Sequence, residues 1–168
     1  NNKIEQTTSA NDRKDMKVIG NSLPRYNYNF GISADWYGID FSVLFQGIGK
    51  QNWYPGAETS MFWGPYSRPY ASFIPSDFMS QVWSEENTNA YFPRPRGYVA
   101  LGSNRELAVV NTKYLQNLAY CRLKNLSIGY TLPDKWLSKI GFEKIRVYFS
   151  GENLLTFTKL HSDYIDPE

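Results

Sequence analysis

Polar and apolar residues alternate along four stretches of the chain, and this alternation predicts its main elements. From Arg25 onward, Tyr26, Tyr28, Phe30, Ile32, Ala34 and Trp36 share one face, and Asn27, Asn29, Gly31, Ser33 and Asp35 share the other. Successive side chains point to opposite sides of a strand, so this stretch reads as a strand with one apolar surface. Tyr37-Gly38 supplies a tight turn, with glycine free to take positive φ. The return strand sets Ile39, Phe41, Val43 and Phe45 against Asp40, Ser42 and Gln46, with Leu44 as the one break. Further on, Leu126, Ile128, Tyr130 and Leu132 oppose Asn125, Ser127, Gly129 and Thr131. After a turn opening at Pro133, Ile145, Val147, Phe149, Leu155 and Phe157 oppose Lys144, Arg146, Tyr148, Ser150, Glu152, Thr156 and Thr158. Leu154 is the exception on that polar side, and Gly151 and Asn153 interrupt the apolar one. These runs exceed the usual soluble strand of about 5–6 residues. They suit tilted transmembrane strands, which need roughly 9–11 residues.

The pattern predicts an all-β chain, part of a large antiparallel transmembrane β-barrel. Residues 1–24 are polar and aperiodic and read as the end of a loop. Residues 25–49 form one hairpin and 118–158 a second, with its turn at 133–143 and another loop starting at 159–168. Between them, 50–117 holds most of the prolines, many aromatics and little alternation. Within it, Pro75-Ser76-Asp77 before Phe78–Trp83 predicts a capped helix of about two turns, and Leu107–Val110 a short strand. In outer-membrane barrels long loops are extracellular and short turns periplasmic. On that rule 50–117 is extracellular, and Tyr37-Gly38 and 133–143 are periplasmic.

Composition narrows the function. Aromatics make up 17% of the 168 residues, thirteen of them tyrosine, and several lie near strand ends as in interfacial girdles. A net charge of +2 without basic runs argues against a nucleic-acid partner. Mean hydropathy is −0.50 and no apolar run approaches the roughly 20 residues of a membrane helix. Barrel strands escape such a scan because their apolar residues are only every second one. The single cysteine, Cys121, excludes an internal disulfide and a multi-cysteine metal site, and the one histidine, His161, is remote from it. The ends, Asn1 and Glu168, look cut, which predicts a piece of a larger protein.

Several blocks carry a resemblance: Val18–Lys50, Trp53–Phe78, Asn89–Pro95, Tyr114–Pro133, Lys144–Lys159 and Asp163–Glu168. Together, and in order, they resemble the C-terminal part of SusC/RagA-type TonB-linked outer-membrane receptors. The resemblance implies a 22-stranded barrel filled by an N-terminal plug and energised by TonB. It also implies a SusD-like surface lipoprotein partner, a setting in outer-membrane lipid, and a glycan or peptide substrate, mostly oligosaccharides. This chain would supply about four strands and one large extracellular loop. Asn1-Asn2-Lys3-Ile4 looks like the tail of an acidic loop found in relatives, but its carboxylates are missing, so no metal site is claimed.

The aromatics of the long loop invite a binding role. Trp53, Tyr54, Trp63, Tyr66 and Tyr91, with Arg68, Arg94 and Arg96, are the candidates for ligand or partner contact. Flat rings stack on sugar faces, and Tyr, Trp and Arg are favoured at protein interfaces. The same rings could instead form a local core holding the loop together. Glu152 and Arg146 lie on the polar face and are expected to be structural, facing the lumen. Glu85-Glu86, Asp163 and Asp166 sit in separate polar stretches, so no glycosidase pair, no catalytic residue and no cofactor is expected. The rival reading is a secreted carbohydrate-binding β-sandwich, in which the two hairpins pack face to face. A structural or adhesive surface protein is a third.

Overall fold

The computed structural model describes residue 5 and residues 14–67, 74–95, 100–102, 105, 107–139 and 141–168. Its long strands are β1 (Arg25–Trp36), β2 (Ile39–Lys50), β5 (Tyr120–Thr131) and β6 (Arg146–Thr158). Two-residue strands β3 (Asn52–Trp53) and β4 (Gln116–Asn117) lie between β2 and β5. One-turn helices α1 (Ser60–Trp63) and α2 (Asp134–Leu137) complete the elements used below. The long strands form one antiparallel sheet in the order β1-β2-β5-β6. Each has 12 or 13 residues. At about 3.3 Å per residue that is roughly 40 Å of strand, enough to cross about 30 Å of hydrocarbon when tilted.

The register turns the alternation into rows that run across all four strands. Trp36, Ile39, Tyr130 and Val147 are cross-strand neighbours on one face, as are Ala34, Phe41, Ile128 and Phe149. Phe30, Phe45, Leu123 and Leu155 make a third such row, with Phe30 and Phe45 stacked at 4.9 Å. On the opposite face Ser33, Ser42, Ser127 and Ser150 form a row of hydroxyls from edge to edge. The apolar face is uncovered: Phe30, Ile32, Ile128 and Val147 are exposed, and Phe41 and Val43 are half-buried. A β-sandwich would bury these residues between two sheets. The single sheet, with no sheet packed on its apolar face among the described residues, is instead a segment of barrel wall.

Turns and glycines set the details. Tyr37 and Gly38 have φ of 47° and 87°, both positive, as a two-residue type I′ hairpin requires. Registers shift at Leu123/Asn125, where β6 carries an extra residue and Asn153 takes φ 53°. Asparagine tolerates that left-handed conformation better than most residues. This bulge corrects the expectation for Leu154. A Cβ added to Gly151, in the apolar row with Val43 and Leu126, would lie 2.8–3.0 Å from the Leu154 side chain. Leu154 therefore covers the gap over Gly151 on the apolar face and does not sit among the polar residues. Alternation cannot show this, because the left-handed Asn153 re-aims its neighbour locally while Leu155 keeps its place in the apolar row.

The long segment starts as a neck. Asn52 and Trp53 pair with Asn117 and Gln116, and the Leu118 amide donates to the Gln51 carbonyl at 3.0 Å. Beyond it the chain folds into a compact cluster around Phe62, Trp63, Tyr66, Phe78, Val82, Phe92, Leu107 and Tyr114. The short helix of this segment is α1. Phe78–Gln81, expected to begin a two-turn helix, makes one 3-10 turn instead. Asp77 gives its amides no side-chain cap, and Val82 turns extended to bridge Phe92. Leu107–Val110 is a turn instead of a strand, because the Ala108 and Val109 amides both donate to the Arg105 carbonyl. Leu107 itself points into the aromatic cluster.

Candidate functional site

The aromatic cluster stands on the neck, beyond one end of the sheet, and its polar atoms are satisfied from within. Trp63 is fully buried, and its indole Nε1 donates to the Pro55 and Gly56 carbonyls at 3.1 and 3.0 Å. Tyr66 is equally buried and donates to the Pro93 carbonyl. The half-buried Tyr54 hydroxyl donates towards the Leu107 carbonyl at 2.8 Å and accepts from Asn111 Nδ2 at 2.9 Å. Tyr91 donates to the Lys113 carbonyl at 3.2 Å and accepts from Gln116 Nε2 at 3.0 Å. Desolvation pushes the Tyr54 and Tyr114 phenols up to about 12 and raises Tyr66 and Tyr91 as well. All four stay neutral hydrogen-bonding groups at any physiological pH.

This geometry sorts the sequence candidates. Trp63 and Tyr66 are core, and their rings pack on Phe62, Phe78, Phe92 and Tyr114. Trp53 is half-buried in the neck. Arg94 is exposed and covers the Trp83 ring at 4.8 Å, a cation–π contact that occupies a face a sugar would use. Arg68 and Arg96 lie outside the described residues. Arg146 pairs with Asp40 on the polar face, its Nε donating to Oδ1 at 2.9 Å. Gly129 of β5 lies under that pair, since a Cβ there would come within 2.5–2.6 Å of both partners. Glu152 is exposed on the polar face opposite Asn125 and makes no ion pair with a described residue. A cleft of about 40 Å³ beside Phe62, Phe78, Gln81, His161 and Tyr164 has room for little beyond a water. Preformed small-molecule pockets are nearer 300–1,000 Å³.

Sequence reasoning missed a second cluster. Arg122, on the polar face of β5, is buried to 7% exposure, and its Nε donates to Thr156 Oγ1 at 2.9 Å. Its two other nitrogens pair with Asp166 and, at 2.6 Å, with Glu168. Lys124 reaches both Glu168 oxygens at 2.9 Å. Asp166 is held below the usual carboxylate range, first by the Glu168 backbone amide and then by Arg122. Two cations on one strand were a signal, but 44 to 46 positions separate them from their acids. Only the return of the chain after β6 joins them.

Similar proteins give the chain its family. It is 35% identical over 156 residues to TonB-dependent receptor P3 of Formosa agariphila, a match covering 92% of this chain and 14% of that protein. The chain belongs to the TonB-dependent receptor family. TonB-dependent receptor P26 of the same organism is 28% identical over 156 residues, again 92% of this chain and 14% of the relative. No family model matches the chain. Among solved structures, the RagAB peptide importer in its open-open state superimposes with a TM-score of 0.59 at 23% identity, covering 97% of this chain and 16% of that one. The RagAB peptide transporter gives 0.60 at 23% identity. This receptor segment thus has the SusC/RagA-type barrel fold, and it spans about one-seventh of the curated relatives' length.

Proposed function

We propose that this receptor segment is the C-terminal wall and one extracellular loop of an outer-membrane nutrient importer. The observation that carries the reading is the row pattern of the sheet, apolar on one face and hydroxyl- and ion-lined on the other. That is how a strand wall meets lipid outside and a wet lumen inside. Family membership supports the rest: uptake energised by TonB and capture shared with a SusD-like surface lipoprotein. On this reading the two-residue hairpin and the turn at 133–143 face the periplasm, and residues 51–117 stand outside the cell.

The cargo we propose is an oligosaccharide. The packed state of Trp63 and Tyr66 moves any sugar contact to the loop surface, where Trp53 and Tyr91 keep part of their rings accessible. A peptide cargo is the second reading, favoured by the RagAB structures, which are named for peptide import. Deleting the receptor gene and following uptake of labelled oligosaccharides and peptides tests both. Loss of glycan uptake, matched by loss in a TonB-deficient strain, is the expected result. Unchanged uptake of both cargo classes would sink the import reading.

A further inference from the structure

The chain after β6 does not leave the wall. Leu160 is buried, and the His161 amide donates to Gln116 Oε1 at 3.2 Å. The His161 ring stacks on Tyr91 at 3.8 Å, with Nε2 3.0 Å from Gln81 Oε1. Tyr164 donates to Asp77 Oδ1 at 3.3 Å, and Ile165 packs against the aromatic cluster. One turn later Asp166 and Glu168 engage Arg122 and Lys124 on the polar face of β5. Nine residues, 160–168, therefore grip two bodies that are far apart in sequence.

We propose that residues 160–168 are a latch, fastening the 51–117 cluster to the polar, lumen-side face of the wall. Without it the cluster's links to the sheet, among the described residues, lie at the neck: a two-residue ladder, the Leu118–Gln51 hydrogen bond, and bonds of Gln51 and Asn52 to Ser22 and Asn21 ahead of β1. Such a neck permits rocking, and a second attachment beside it, through Gln116, Tyr91 and Gln81, resists it. The catch at the wall has the features of a strong one: a buried guanidinium, charge-assisted hydrogen bonds to two carboxylates, and a lysine that fixes the second acid. Because the acids bind the polar face, the latch also draws the cluster inward over the mouth. Unfastening Asp166 and Glu168 removes the ionic catch and loosens the cluster, which then hangs on the neck and on residues 160–165 at the end of β6, while the wall keeps its ladder.

The latch rests on the barrel reading for what "inward" means, but its test does not need transport. Asp166→Asn with Glu168→Gln, in the full receptor in detergent or nanodiscs, removes both charges from exposed side chains and leaves the strands intact. Hydrogen–deuterium exchange then reads the segments 51–67 and 76–95 against β2. The latch predicts about tenfold faster exchange in the loop segments and no change in β2. Unchanged loop exchange overturns it. Acceleration of loop and wall together overturns it too, because the acids would then be general braces of the fold. Glu85→Gln with Glu86→Gln is the matched control and leaves both rates alone. Failure of cargo uptake in the native receptor would count against the import reading and leave the exchange result standing.

Discussion

Two glycines show how single residues set the wall. Gly129 leaves room for Asp40 and Arg146 to meet across β5, joining three strands by one ion pair. Gly47 does the same on the apolar face, where the Tyr28 ring crosses it and the hydroxyl donates to the Tyr120 carbonyl at 2.9 Å. Each is a cross-strand cover over a bare backbone, which pins register as well as filling space. Gly129→Val should cost about 1–3 kcal/mol through overpacking and a broken pair. Heat-modifiability of the full receptor on gels will show it as a lower unfolding midpoint, while Ser127→Ala stays within about 0.5 kcal/mol. Gly47→Ala should destabilise the sheet even in a Tyr28→Ala background, because the added Cβ meets the Tyr120 backbone carbonyl as well as the Tyr28 ring.

At the element scale the loop cluster and the latch answer to different perturbations. Trp63 fills the centre of the cluster and has two carbonyl partners, so Trp63→Ala should cost roughly 3–5 kcal/mol locally. Limited proteolysis should then cut within 51–117 while the strands remain heat-resistant. The latch brings a pH term. Burial holds the His161 imidazole below its ordinary value near 6.5, with Asp163 working the other way. Tyr91, Gln81 and Gln116 face it as well, with Asp77 reached through Tyr164. A released His161 takes up a proton as pH falls through about 6.5, and the docked one only at lower pH. Docking is thus complete above that value and weakens below it. Protection of 160–165, corrected for the pH dependence of intrinsic exchange, should fall as pH drops from about 7.5 to about 5.5. His161→Phe keeps a ring for stacking, removes the titration and should flatten that profile. Asp166, held below its usual range, stays ionised through the same window, so the core-side grip loosens first.

For the molecule as a whole, the decisive property is which face meets lipid. Ile32 and Phe149 stand on the exposed apolar face, and Ser127 on the other. Ile32→Arg near mid-wall should cost about 2–4 kcal/mol in the bilayer. Outer-membrane assembly of the full receptor, followed as the folded fraction on unheated gels, should fall accordingly. Ser127→Asn, on the polar face, should leave assembly intact. Equal tolerance of both changes would contradict the lipid-facing assignment.

Alternation alone determined the strands, their pairing into hairpins and the apolar face, because side-chain facing has a period of two and burial of one face constrains register. Tyr37-Gly38 was legible as a turn for the same local reason. The ring-rich stretch was legible as chemistry but not as architecture, since Trp63 and Tyr66 read the same whether they stack on a ligand or on Phe92. Tertiary structure made them core by closing the segment on its neck. It also decided Leu154, whose facing depends on one inserted residue, and the Arg122 cluster, whose charges are brought together by a chain reversal. These depend on non-local closure, which a pattern of neighbours along the chain does not encode.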